Sequence, residues 1–257
     1  MKKNRRAARA SPLAALRPEI VWAPVAMVKI LVDTKEIQAE EGKSVLQTCL
    51  EHGIFIPNLC FMKSREHPHG SCRLCFVEID GIDRPVTSCT ERVRDGLVAL
   101  TGTAQVRRLQ RTAFKLLMSA HHCQPKACPV RGGCQLIRIA RHLNVGLKSQ
   151  PLERLERVID EEVDLGLFTY YPFRCVLCGR CIHVCRQRTG HNLLNFARRG
   201  LDTVVAFFDG GDLADVTCRH CGACASVCPT GALIPKWEQG KTASADSSLR
   251  APEIPPG

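Results

Sequence analysis

The sequence predicts an α+β chain: a small strand-rich domain first, a helical segment next, and a paired cysteine-rich domain last. Three observations carry this. Val28, Ile30 and Val32 alternate along MVKILV, the period of a half-buried strand. Val106, Leu109, Ala113, Leu116, Leu117 and Ala120 recur at helical spacing between Thr103 and His122, with Arg107, Arg108, Arg111 and Lys115 opposite. The run CVLCGRCIHVC, from Cys175, returns as CRHCGACASVC, from Cys218, with all four cysteines at the same spacing.

The first domain is expected over residues 27–102. Two short strands turn at Asp33-Thr34, and a helix follows with Ser44 as N-cap and Gly53 as its stop. Val77 and Ile79 alternate up to Asp80-Gly81, a hairpin turn signal. Strands with one packed helix make a small α+β unit. The segment 103–168 reads as the helix just described, then a mostly helical connector from about 134. Residues 169–236 hold the repeat. Residues 1–26 read as a disordered or spurious extension, with Met27 as an alternative start to Met1, and 237–257 as a Pro-rich disordered tail.

Sixteen cysteines in 257 residues mean either a disulfide scaffold or metal ligation. A disulfide scaffold belongs to an exported chain. Arg17, Pro18 and Glu19 interrupt the apolar stretch a signal peptide would need, and no apolar run has membrane-spanning length. A reducing, cytoplasmic setting with thiols free for metals is therefore expected.

The repeat is the most specific signal. Both runs have the C-x2-C-x2-C-x3-C spacing of bacterial ferredoxins, in which the fourth cysteine serves the other cluster. The second run has the following proline, Pro229; the first has Arg186 there. This assigns Cys175, Cys178, Cys181 and Cys228 to one [4Fe–4S] cluster, and Cys218, Cys221, Cys224 and Cys185 to another. Gly179 and Gly222 let the backbone pass close to each. Two structural zinc sites are the competing reading, but zinc needs two C-x2-C pairs and has no use for the third spaced cysteine.

Cys60, Cys72, Cys75 and Cys89 form an earlier group, spaced x11, x2 and x13. Plant-type [2Fe–2S] proteins use C-x4-C-x2-C and a remote fourth cysteine. Here the first gap is longer and the fourth cysteine nearer, yet GSCRLC keeps the tight loop leading into a strand. One [2Fe–2S] cluster is expected, with zinc as the alternative. The central group HHCQPKACPVRGGC offers His121, His122, Cys123, Cys128 and Cys134. An imidazole and three thiolates suit a cluster or a zinc ion equally, and either histidine could be a plain helix-end residue. Cys49 is left over, and its apolar neighbours make it a small core residue.

The net charge of +11 suggests nucleic acid, but +5 of it lies in residues 1–26, and aromatics are only 5% of the chain, too few for base stacking. No G-x-G-x-x-G follows a strand and no G-x-x-x-x-G-K-[ST] occurs, so nucleotide binding is expected on a partner.

The order of these sites resembles the N-terminal iron–sulfur region of the complex I large subunit. It also resembles iron-only hydrogenases, NAD-linked formate dehydrogenases, and the small diaphorase subunit of NAD-linked bidirectional nickel–iron hydrogenases. IPNLC, GSCRLCFVEIDG and CPTGAL carry the likeness, which spans about residues 27–236. It implies a β-grasp fold for residues 27–100. It also implies a subunit with no substrate chemistry of its own, passing electrons between a flavin- and NAD(P)-binding subunit and a hydrogenase or other catalytic subunit. No hydrogen-activating or molybdopterin domain follows the repeat, which favours the stand-alone form. At the centre the group usually reads H-x3-C-x2-C-x5-C. Here Cys128-x5-Cys134 fits, Pro125 stands where the first cysteine would fall, and Cys123 lies two residues earlier. The resemblance makes His121, Cys123, Cys128 and Cys134 the expected ligands of a third [4Fe–4S] cluster, with Cys123 serving through a different loop; an altered or absent cluster is the alternative. Two other functions compete: a zinc-stabilised nucleic-acid-binding protein using the basic faces, and an iron–sulfur enzyme whose central cluster keeps an open position for substrate.

Overall fold

The structure is a computed structural model that describes residues 26–121, 128, 130, 132–147, 157–165, 168–208, 218 and 221–236. The expectations for residues 1–25 and 237–257, and for His122, Cys123 and Pro125, lie outside the described residues.

The first domain is a mixed five-stranded sheet of order β2-β1-β5-β3-β4. Strands β1 (Met27–Val32) and β2 (Lys35–Glu40) form the antiparallel hairpin turning at Asp33-Thr34. Val28, Ile30 and Val32 point inward, as their alternation predicts. Helix α1 (Val45–Glu51) packs on the sheet through Val45, Leu46 and Cys49, so Cys49 is a core residue. The Ser44 side chain accepts from Gln47 N at 3.2 Å, a cap whose loss typically costs about 1 kcal/mol. Strand β3 (Phe76–Ile79) buries Val77 and Ile79. It returns through a wider loop than a two-residue hairpin, pairing with β4 (Val86–Thr87) after residues 80–85. Strand β5 (Val98–Leu100) runs parallel to β1 and antiparallel to β3. One helix held against this sheet is the arrangement the β-grasp expectation describes.

Helix α2 (Ala104–Ala120) starts at Thr103, whose side chain accepts from Val106 N. Its buried stripe differs from the expected one. Val106, Gln110, Ala113, Phe114, Met118 and Ser119 face inward, while Leu116 is 57% exposed. The polar Gln110 disguised the stripe: its Nε2 donates to Phe76 O at 3.0 Å, which makes burial tolerable and ties α2 to β3. Helix α3 (Gln135–Leu143) then packs Leu136, Ile139 and Leu143 against Phe114 and Met118. Asn144 ends α3 in a left-handed conformation, and the described residues 157–165 hold no helix but include strand β6 (Val163–Asp164).

Strand β7 (Phe168–Tyr170) lies between β6 and β10 (Leu233–Pro235). Helix α4 (Arg180–Thr189), the hairpin β8 (Leu194–Ala197) and β9 (Val204–Phe207), and the short helix α5 (Ala223–Ser226) complete the last region. Phe168, Tyr170, Val184, Leu194, Val205 and Leu233 form its core.

The loop from Cys60 to Cys72 crosses to this region. Met62 is buried in the same core as Val184 and Leu233. Ser64 Oγ lies 3.4 Å from both His183 Nε2 and Gln187 Oε1 on α4. The His69 ring stacks on Phe196 and lies where a side chain on Gly179 would have to go.

Candidate metal centres

At the first group, Cys60, Cys72, Cys75 and Cys89 are all buried. Their sulfurs meet in pairs. Cys60 and Cys72 lie 3.4 Å apart and share a hydrogen bond, and Cys75 and Cys89 are close enough to shift one another's ionisation. In each pair one thiol supports the charge of the other: Cys72 pulls Cys60 down from its ordinary value, and Cys75 pulls Cys89 down. The loop is built by backbone geometry. Arg73, between Cys72 and Leu74, has φ +50°, and Ser88 donates through both N and Oγ to Cys75 O at 2.8 Å. The second contact brings Cys89 beside Cys75.

In the paired region, Cys175, Cys178, Cys181 and Cys228 line one small, apolar cavity together with Tyr170 and Thr230. These are the four thiols that the spacing assigns to one cluster, three from one run and one from the other. Gly179 (φ +71°) and Gly222 (φ +66°) each N-cap the helix that carries the third thiol of its run, in a left-handed conformation that favours glycine. Cys218 and Cys221 are close enough for their charges to raise the thiols of Cys185 and Cys224, after burial.

Backbone amides point at the sulfurs. Leu177 N donates to Cys175 Sγ at 3.4 Å, and Ala232 N to Cys228 Sγ at 3.2 Å. Leu177 adopts φ +50° to do so. Burial pushes Cys178 and Cys224 up to about 12 and Cys175 up to about 11; Cys181 is also raised, mainly by burial. Thiols so placed resist ionising alone and need a cationic partner to become thiolates. Four inward sulfurs, apolar walls and N–H donors aimed at sulfur fit an iron–sulfur cluster.

The central group is only partly described. His121 ends α2, and Cys134 N-caps α3. Burial raises the Cys134 thiol, and the charges of Cys128 and Cys228 raise it further. The start of α3 therefore adjoins the Cys228 side of the paired region, where Gln135 N donates to Pro229 O at 3.0 Å. The four expected ligands cannot be compared as a set, since Cys123 lies outside the described residues.

Spacing offered no sign of Tyr170, Leu177, Thr230 or Ala232, which surround the sulfurs. Leu177 carries no glycine to announce its turn, and backbone donors leave no residue signature.

Residues 25–104 match the model of the 2Fe-2S iron-sulfur cluster binding domain, and residues 174–232 match that of the 4Fe-4S dicluster domain. Fold and sites together thus define an iron–sulfur protein, with a ferredoxin-like domain followed by a dicluster domain. More particularly, the chain is similar to iron–sulfur subunits of NAD(P)-linked hydrogenases and complex I-type oxidoreductases. It is 33% identical over 210 residues to the NADPH-Fe(3+) oxidoreductase subunit alpha of Geobacter sulfurreducens, covering 82% of this chain and 24% of that one. It is 31% identical over 215 residues to the NADP-reducing hydrogenase subunit HndD of Solidesulfovibrio fructosivorans, covering 82% and 36%. It is 32% identical over 211 residues to an NADH-quinone oxidoreductase subunit of Rhizobium meliloti, covering 81% and 24%. The chain thus spans about a quarter to a third of these relatives. A solved structure, an NAD+-reducing [NiFe]-hydrogenase in the H2-reduced state, matches with TM-score 0.65 and 27% identity, covering 82% of this chain and 88% of that one. The nucleic-acid reading draws no support from these domains or relatives. No helix of the described residues is long and apolar enough to cross a membrane.

Proposed function

We propose that this chain is an electron-relay subunit of an NAD(P)-linked oxidoreductase, of the hydrogenase type, working in the cytoplasm. It would stand between a flavin- and NAD(P)-binding subunit and a hydrogenase or other catalytic subunit, with no substrate chemistry of its own. The observation that carries this reading is the likeness to the hydrogenase chain, because it spans 88% of that chain as well as most of this one. Bound iron–sulfur clusters supply one-electron chemistry.

Cys60, Cys72, Cys75 and Cys89 would hold a [2Fe–2S] cluster. Cys175, Cys178, Cys181 and Cys228 would hold one [4Fe–4S] cluster, and Cys218, Cys221, Cys224 and Cys185 a second. His121, Cys123, Cys128 and Cys134 would hold a third. The protein's own part is to orient and enclose these sites. Cys60, Cys72 and Cys178 border one apolar core, so the first group and the paired region share a dry wall. The backbone donors to Cys175 and Cys228 fix sulfur positions and stabilise added negative charge.

The test is purification without oxygen from the native host. Stoichiometric iron and sulfide, with a co-purifying flavoprotein and nickel–iron subunit and hydrogen-driven NAD(P) reduction, is the expected result. A molybdenum subunit moves the assignment to formate dehydrogenase, and membrane subunits move it to complex I. A chain that emerges alone, iron-free and zinc-loaded refutes the relay.

A further inference from the structure

Tyr170 is 1% exposed and sits in the middle strand of its sheet, opposite Leu233. Burying a phenol this completely requires partners for its hydroxyl. The backbone supplies one. Val205 N, from β9, donates to the hydroxyl oxygen at 3.1 Å. Tyr170 and Cys175 line the same small cavity, which Cys178, Cys181 and Cys228 complete, and the phenol favours the charged form of the Cys175 thiol, as a donor to sulfur does. A phenol has a single hydrogen to give. The Val205 amide occupies an oxygen lone pair, so the Tyr170 hydrogen is left for Cys175 Sγ. Thr230, the other hydroxyl on this wall, gives its hydrogen to Arg174 O at 2.7 Å and lies 3.8 Å from Cys228 Sγ. Tyr170 therefore differs from Thr230 in that its hydrogen is not given to a backbone carbonyl.

We infer that Tyr170 is a positioning residue that sets a reduction potential: its hydroxyl donates to the Cys175 sulfur and holds the potential of the site formed by Cys175, Cys178, Cys181 and Cys228 above the value these thiolates give without it. The inference rests on the reading of those thiols as ligands of a [4Fe–4S] cluster. Reduction adds one negative charge that the ligand sulfurs share. A donor fixed on sulfur stabilises the reduced form more than the oxidised one. β7 and β9 hold the phenol in place, so no rearrangement accompanies the electron's arrival. The other sites, built from other thiols, are not expected to feel it equally.

The experiment uses the full, iron-loaded chain and reads midpoint potentials by electron paramagnetic resonance during an anaerobic reductive titration. Tyr170→Phe keeps the ring and removes the hydrogen. The expected result is a more negative midpoint for one [4Fe–4S] signal, with the [2Fe–2S] signal unmoved and iron per chain unchanged. The second variant works in the opposite direction. The chain has two tyrosines, so fluorotyrosine incorporated on a Tyr171→Phe background labels Tyr170 alone. The ring is buried against apolar neighbours, so a singly fluorinated phenol keeps its hydrogen there. It is a stronger donor of nearly the same shape, and the same signal should move to a more positive potential. A role in packing alone would not produce opposite shifts. Unchanged midpoints in iron-loaded protein overturn the inference and leave the relay intact, as does a common shift of all signals. If Tyr170→Phe fails to retain iron, the fluorinated protein decides by itself. Zinc in place of iron and sulfide overturns both this inference and the reading beneath it.

Discussion

In the first cysteine run, Cys178 and Cys181 are buried, Cys175 accepts from Leu177 N and shares a cavity wall with Tyr170, and α4 continues past Cys185 to Thr189. In the second, Cys221 is exposed, Cys218 is half-buried, and Cys224 is buried. Its helix stops at Ser226, with Cys228 beyond it and Pro229 unable to continue it. The thiol spacings are identical and the surroundings are not. Spacing therefore specifies a ligand set, while the walls decide how dry, how rigid and how well hydrogen-bonded that set becomes.

The largest expected effect removes one thiol from each run. Cys178→Ser and Cys221→Ser should each lower iron by about four atoms per chain, since each would break one cubane. Melting should fall further for Cys178→Ser, because Cys178 packs in the core shared with Leu59, Phe114 and Ile139. Equal melting losses would erase the distinction between the two runs. Next in size is lability. A chelator with a mild oxidant should bleach the resonance signal of the site containing Cys221 before that of the site containing Cys178, because its thiol is open to solvent. Simultaneous loss would mean that exposure at Cys221 does not govern access.

A smaller effect probes the two helix-starting glycines. Gly179→Ala and Gly222→Ala each force a side chain into the left-handed region, at about 1 kcal/mol. Gly179→Ala also drives a methyl group into the His69 ring, so it should destabilise more. Adding His69→Ala should recover part of that excess, measured as coupling in a double-mutant cycle.

The smallest effect lies outside both runs and provides a reference. Burial raises the Glu51 carboxyl, but hydrogen bonds with Lys63, Gln47 and Lys43 outweigh it and carry it down to about 2 from 4.5. Its folded value is thus depressed. The stabilisation is present above about 4.5 and is lost as pH falls toward 2. Glu51→Gln should flatten that part of the stability curve by a few tenths of a kcal/mol, given its exposure to solvent. The difference between the runs should not change with it.

Much of this was legible in the sequence. Alternation at Val28, Ile30 and Val32 found the first strand, Ser44 and Thr103 found two helix starts, and the repeat pointed to thiols that do line one cavity. The failures have physical causes. Gln110 reads as a surface residue because composition cannot reveal that Phe76 O awaits its amide. Leu116 looked like core because helical spacing does not say which of two apolar stripes meets a neighbour. Tyr170 was invisible because its partner, Cys175, had already been explained by spacing, and the amide of Val205 comes from a distant strand.

The loop between Cys60 and Cys72 bears on whether the first domain is a separable module. It places Met62 inside the apolar interior of the last region, sets Ser64 beside α4, and lays His69 against Gly179 and Phe196. A fragment ended near residue 102 would keep the sheet and all four of its thiols. It would also strip the cover from Met62, and from Leu59 and Leu74, which lie in the core with Phe114 and Leu136. Such a fragment should clump or gather a substitute partner, so grafting this ferredoxin-like unit onto another protein calls for redesign of the loop as well as transfer of the cysteines.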